Sequence, residues 1–265
     1  MNTNIKKIVE YFNNNDDIFI QLIDKFEDNF SKIPDYIKYY LGINFSILYS
    51  EFGAFYIKHN SKDSIDGIIH FLNSKIFDIT SLYGETEIVD EINKRLKLYP
   101  RSKIDYYLML LEKKYFREFN INDQNFTCEK VGPKYFNKLK RLQKEYHLEE
   151  VYNDGSFYPY EAEMENFKIS LSKRLNYAVF YKEKAVSKCA TNSESRNSFQ
   201  IGGVYTVKKF RGLGLSKFCL SNLLKEAFTL KNRALLYVKK ENIPAIRVYK
   251  SLGFKIINTT SVAYY

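Results

Sequence analysis

The sequence predicts a mixed α/β protein, α+β or α/β, on three observations. Short runs rich in β-branched and aromatic residues alternate with amphipathic helical patterns along the chain. The runs occur both as hairpin-like pairs and as strand–helix–strand units. Hydrophobic residues make up 45% of the 265 positions, with 23 Tyr and 21 Phe but no Trp, enough for one large domain or two small ones.

Residues 5–12, 17–30 and 34–41 read as helices, the last with Pro34 near its start. From residue 44 the pattern changes. FSILYS (45–50), AFYIKH (54–59), IIHFLN (68–73) and IFDITSLY (76–83) read as four short strands. ETEIVDEINKRLKL (85–98) is a helix with Ile88, Val89, Ile92 and Leu96 on one face and Pro100 beyond its end. IDYYLMLLEK (104–113) reads as a buried strand. The polar stretch NINDQN (120–125) suggests a boundary, giving lobes of residues 1–125 and 126–265.

The second lobe opens with a strand, FTCEKV (126–131). Helices follow at 133–148 and 160–175, then a hairpin of YAVFYK (177–182) and AVSKCATN (185–192). A strand at 200–206, a helix at 215–230, a strand at 234–238, a helix at 243–252 and a last strand at 260–265 complete the order.

Charge is unevenly distributed. Residues 1–125 carry 16 basic and 19 acidic side chains, and residues 126–265 carry 25 and 12. The basic half would attract anions such as nucleic acid, an acidic membrane or a phosphorylated cofactor, and it also fits a plain solvated lysine surface. Cys128, Cys189 and Cys219 form neither a disulfide framework nor a zinc pattern, so no metal is expected and a reducing cytoplasm is. The first residues lack the apolar core of a signal peptide, and no run approaches the ~18 apolar residues of a membrane span. A soluble cytoplasmic protein without a membrane partner is expected.

The stretch QIGGVYTVKKFRGLGLSKF (200–218) carries the chemistry. A strand runs through Arg211-Gly212-Leu213-Gly214 into a helix with Leu220, Leu223, Leu224, Ala227 and Phe228 on one face. A helix start leaves backbone amides unpaired and partly positive. Glycines let a ligand approach those amides, and Arg211 adds forked donors. The combination suits a phosphate or pyrophosphate. The dinucleotide fingerprint fails because Lys217 stands where its third glycine belongs, and no Gly-Lys-Ser/Thr triplet exists for a Walker loop. The Arg/Gln-x-x-Gly-x-Gly/Ala frame of a coenzyme A loop is filled by Arg211, Gly214 and Ser216. Glycines in a strand-to-helix turn are otherwise simple turn chemistry.

Downstream, YVKKENIPAIRVYKSLGFK places Asn242 as an N-cap, Pro244 in the first turn and Gly253 after the last turn of a short helix. Ala245, Val248, Tyr249 and Leu252 share one face. Together, "QIGGVYT", "RGLGLS" and "N…A…VYKSLGF" make the last 135 or so residues resemble the GNAT acyltransferase superfamily. DITSLYGETEIVDEINKRL followed by YYLMLLEK is similar to the reduced N-terminal lobe of its two-domain members.

The resemblance implies an N-acetyltransferase that moves an acetyl group from acetyl-CoA to an amine. Val204, Tyr205 and Thr206 would lie on a splayed strand that serves the pantetheine arm. The backbone of Arg211, Gly212, Leu213, Gly214, Leu215 and Ser216 would cradle the pyrophosphate. Asn242 and Ala245 would lie by the pantetheine, and Tyr249 would be the acid that protonates the leaving thiolate. A Tyr of pKa ~10 can donate at neutral pH; without the motif, Tyr249 would read as a core aromatic.

The general base is open. Many relatives use a Glu near the central strand, whereas this strand offers the neutral Gln200. Glu161, Glu163 and Glu194 are candidates, each equally readable as a surface acid. Asn192 and Tyr205 are candidates for the acceptor site. His147 reads as a surface residue, His59 and His70 fall in the first lobe, and the cysteines read as core filling. The alternative to an enzyme is an acyl-CoA-sensing module on the same scaffold. Nucleic-acid binding, including aminoacyl transfer from tRNA, would leave the coenzyme loop without purpose. The terminal strand ending in Tyr264 and Tyr265 would offer a homodimer contact, and the amine acceptor is not legible.

Overall fold

The computed structural model describes residues 3–152 and 157–265. Two N-terminal helices, α1 (Thr3–Asn14) and α2 (Asp16–Ile23), are followed by a single turn, α3 (Glu27–Phe30). Then come β1 (Ile37–Gly42), β2 (Phe45–Ser50), β3 (Ala54–His59), α4 (Ile65–Asn73), β4 (Ser81–Glu85), α5 (Thr86–Leu96) and β5 (Ser102–Glu112). The rest of the chain gives β6 (Phe126–Lys130), α6 (Phe136–Tyr146), α7 (Tyr160–Lys173), β7 (Asn176–Tyr181) and β8 (Lys184–Glu194). It ends with β9 (Ser198–Thr206), α8 (Leu215–Leu230), β10 (Arg233–Lys239), α9 (Ile243–Leu252) and β11 (Lys255–Tyr264).

Three expectations in the first lobe are corrected. Residues 34–41 were expected to be helical, but Ile37–Gly42 form β1, an edge strand in antiparallel register with β2, Gly42 facing Phe45. The hairpin turn sets Asn44 at φ 61°, a conformation Asn tolerates, and cross-strand pairing outweighs the local pattern. IIHFLN is helix α4 instead of a strand. Ile65, Ile68, Ile69 and Leu72 recur at i, i+3, i+4 and i+7, so the helical period starts before the apolar run. IFDITSLY is a 3₁₀ turn at Ile76–Asp78, and its strand is confined to Ser81–Glu85.

All the strands join one sheet, ordered β1-β2-β3-β4-β11-β5-β10-β9-β8-β7-β6. The order contains an internal symmetry. β3 and β4 run parallel around α4, as β9 and β10 do around α8. α5 then leads to β5, as α9 leads to β11. The two final strands are exchanged: β5 lies between β10 and β11, antiparallel to both, and β11 lies between β4 and β5. Each lobe therefore completes the other's sheet. β11 pairs with β5 from Lys255 to Tyr264 and with β4 from Thr260 to Tyr264, so at its tyrosine end both edges are taken within the chain.

One face of the sheet is covered by α4, α5, α8 and α9 and the other by α1, α2, α6 and α7, as the four packed clusters of apolar residues show. The lobes are also tied by charge. Asp24 on the turn after α2 receives Arg174 at 2.6 Å and the Glu194 amide at 2.7 Å. Asp16, fully buried, meets Arg233 at 3.2 Å and Ser195. Part of the second lobe's basic excess is thus spent on first-lobe carboxylates. Burying such groups is tolerable only because each is paired. Cys189 and Cys219 meet in the core with their sulfurs 3.3 Å apart, which fits core filling.

Candidate active site

β9 and β10 pair only at Ser198–Arg233, Phe199–Ala234 and Gln200–Leu235. β9 continues to Thr206 and β10 to Lys239, so the parallel strands part beyond Gln200. Two causes are local. Gly203 takes φ 58°, closed to most side chains, and the register with β8 slips between Lys188 and Ala190. The edge of β9 carrying Val204, Tyr205 and Thr206 is left without a strand partner on the β10 side.

At the end of β9 the chain makes a 3₁₀ turn, Lys208–Phe210, and enters α8 through the glycine loop. Gly212 and Gly214 have φ 81° and 74°, the left-handed region. A Cβ on Gly212 would meet nothing within 4 Å, so that side of the loop is open; one on Gly214 would press on the Phe119 ring at 3.3 Å. The first amide of α8 to bond back is that of Phe218, to the Gly214 carbonyl at 2.9 Å. The amides of residues 212–217 find no acceptor among the described residues. Leu215 is buried and anchors the helix start, whereas Leu213 is exposed. Loop, amides and strand gap suit a pyrophosphate with an extended tail, so the residues present fit coenzyme A.

Arg211 is not free. Its Nη2 lies 2.7 Å from Glu149 Oε1 and its Nε donates to the Thr206 carbonyl at 2.9 Å. The Tyr205 hydroxyl donates to the other Glu149 oxygen at 3.0 Å. Burial pushes the Glu149 carboxyl up, but hydrogen bonds from Arg211 and Tyr205 and the charges of Arg211 and Lys208 outweigh it and hold it below the usual range. The same contact raises Tyr205 to about 12, with burial as the larger cause.

Asn242 caps α9 as the spacing predicted, its Oδ1 accepting from the Ala245 amide at 3.2 Å. Tyr249, on the sheet-facing side of α9, is buried, and its ring meets Phe254 edge-on at 5.9 Å. Burial first, then Tyr146, Cys189 and Glu150, push its hydroxyl well above the usual tyrosine value, so it stays protonated.

α6 does not stop at a surface His. It runs into a π turn, His147–Val151, and His147 is buried. Gln143 Nε2 lies 2.8 Å from His147 Nε2, the Tyr158 hydroxyl 3.3 Å from Nδ1, and Glu163 Oε2 3.5 Å from Nε2. Burial lowers the His147 pKa, with Glu163 opposing and Lys188 assisting. Glu163 also accepts from the Tyr152 hydroxyl at 2.7 Å, while Glu161 stays exposed in the first turn of α7. Glu194 is bound to Lys231 at 2.8 Å between the lobes. Asn192 packs against Gly202, and Gln200 is buried at the point where the strands part.

Lys188 is buried without a carboxylate partner among the described residues. Its ammonium nitrogen donates to the Gly203 carbonyl at 2.7 Å and sits 4.4 Å from the centre of the Tyr146 ring. Burial lowers its pKa to about 7. Sequence reasoning missed Lys188, Glu149 and Glu150 and misplaced His147. The signal was thin: EYHLEEV continues an amphipathic helix, and only the π turn rotates its acids and His147 toward β9.

The fold is shared. Residues 178–263 match the family model described as FR47-like protein. A GCN5-related N-acetyltransferase from Kribbella flavida superposes with TM-score 0.59 over 95% of both chains at 12% identity. A tandem GNAT protein from the clavulanic acid biosynthesis pathway gives TM-score 0.56 at 9% identity, covering 99% of this chain and 96% of its own. The chain has the fold of these GNAT proteins, the tandem arrangement included. A Drosophila protein superposes with TM-score 0.63 at 8% identity, over 99% of this chain and 88% of its own. No curated protein matches by sequence. Among the described residues, no helix is long and apolar enough to cross a membrane.

Proposed function

We propose that this chain is an N-acetyltransferase of the GNAT superfamily that moves an acetyl group from acetyl-CoA to a primary amine of a small molecule or peptide. The observation that carries the reading is the parting of β9 and β10 directly upstream of a glycine loop with unpaired amides. Arg211 and the amides of 212–217 would hold the pyrophosphate, and β9 from Val204 to Thr206 would hold the pantetheine, with Asn242 and Ala245 beside it. Bound acetyl-CoA supplies an activated acyl thioester.

The residues then divide the work. Amides freed along β9 stabilise the charge that develops on the carbonyl oxygen. As the nitrogen–carbon bond forms and the carbon–sulfur bond breaks, the Tyr249 hydroxyl holds the proton that the leaving thiolate takes. The amine must arrive neutral. Glu161, Glu163 and Glu194 were the candidate bases; Glu163, paired with buried His147, has the surroundings that suit the task best. The free cysteines, Cys189 and Cys219 among them buried, fit a cytoplasmic setting.

Calorimetry with acetyl-CoA and a thiol-release assay across amines test the reading. Binding with thiol release supports it, and absence of binding overturns it. Binding with no release on any amine favours the acyl-CoA-sensing alternative, which the pinned Arg211 and the absence of an acid at Gln200 would suit.

A further inference from the structure

A cavity of about 180 Å³ lies between the lobes, on the sheet face covered by α2, where β9 and β10 begin to part. Four tyrosines from four strands line it: Tyr83, Tyr106, Tyr237 and Tyr264. They form two edge-to-face pairs, Tyr106–Tyr237 at 6.4 Å and Tyr83–Tyr264 at 6.5 Å, one on each side of the internal symmetry. Gln200 and Thr260 also line it, both more than nine-tenths buried, and Gln200 Oε1 and Thr260 Oγ1 have no hydrogen-bond partner among the described residues. Burying such groups unpaired costs roughly 1–3 kcal/mol each, so a site that keeps both is shaped for a ligand that satisfies them. No Asp, Glu, Lys or Arg is among its lining residues. An acidic ligand would find no counter-charge there.

We propose, resting on the acetyltransferase reading, that this cavity holds the non-reacting body of the amine acceptor: a ring-sized apolar group bearing one hydrogen-bond donor and no carboxylate or phosphate. A cavity of about 150 Å³ holds benzene, so one ring fits. The ligand's hydroxyl donates to Gln200 Oε1 and its oxygen accepts from the Thr260 hydroxyl, the tyrosines pack on the ring, and the amine points toward the gap between β9 and β10. A phenolic arylalkylamine meets every term.

Tyramine is the probe, phenethylamine lacks the donor, and L-tyrosine adds the acid. With the full chain, tyramine is expected to show a KM roughly tenfold or more below both comparators. Gln200→Leu is expected to raise the KM for tyramine by a similar factor and to change that for phenethylamine less than threefold, with acetyl-CoA binding unchanged. Thr260→Val serves the same purpose if Gln200→Leu does not fold. Should acetyl-CoA bind and other amines such as spermidine release thiol, while tyramine is unused or Gln200→Leu is silent, the cavity assignment falls and the transferase reading stands. Should acetyl-CoA not bind at all, the reading falls; calorimetric binding of tyramine that Gln200→Leu abolishes would still uphold the cavity as an amine site, and no such binding would sink both.

Discussion

Glu149 and Arg211 are joined at 2.7 Å across the mouth of the glycine loop, so the cation expected to meet a pyrophosphate is already neutralised by the chain itself. The pair is partly exposed and worth well under ~1 kcal/mol to stability. Its weight falls on ligand charge. Glu149→Gln should leave Tm nearly unchanged and tighten acetyl-CoA binding about threefold at low salt, fading as salt screens the loop. Calorimetry at two ionic strengths checks this. Weaker binding would mean that Glu149 orients Arg211 instead of opposing the ligand.

Tyr249 is the proposed proton donor. Tyr249→Phe keeps the ring and its contact with Phe254 but removes the hydroxyl. Acetyl-CoA affinity should hold while kcat falls at least about a hundredfold, the low end for a general acid. Turnover equal to that of the parent would reject the role.

Lys188 makes a pH-dependent prediction. Its folded pKa, lowered to about 7, lies below the ordinary lysine value of 10.5, so the unfolded chain binds more protons between these two values. The burial penalty is therefore complete below about pH 7 and vanishes near 10.5. Lys188→Met should raise Tm by several degrees at pH 6, less the lost bond to the Gly203 carbonyl, and the gain should shrink steadily toward pH 10 (about 1 kcal/mol moves a domain of this size about 2–4 °C). A gain that grows with pH would contradict a buried neutral amine.

The loop glycines separate strain from ligand contact. Gly212→Ala and Gly214→Ala both place a Cβ at positive φ, costing about 1–2 kcal/mol. Gly214→Ala also crowds Phe119, while Gly212→Ala meets only open space. Gly212→Ala should therefore be the more stable of the two, yet lose acetyl-CoA binding by more than its stability cost. Equal binding by Gly212→Ala and the parent would show that no ligand approaches that amide.

Much of the second lobe was legible in the sequence because local chemistry and tertiary structure agree there. Asn242, Pro244 and Gly253 bound α9, and the glycine loop sits between β9 and α8 as their spacing required. The first lobe misled where they disagree: β1 exists because β2 pairs with it, and α4 hides its period in isoleucines that favour strands. The exchange of β5 and β11 could not be read, since neither strand records which lobe it will join. The contacts of Glu149, His147 and Lys188 depend on a π turn and a β-bulge, which leave no periodic trace.

The central claim is that backbone amides at the start of α8 grip the diphosphate of acetyl-CoA. Hydrogen–deuterium exchange of the full chain with and without acetyl-CoA, read on peptides spanning 208–220, tests it directly. Slowed exchange at 212–217 with little change at the N-terminus of α5 is the result expected. Unchanged exchange in that loop at saturating acetyl-CoA would contradict the account.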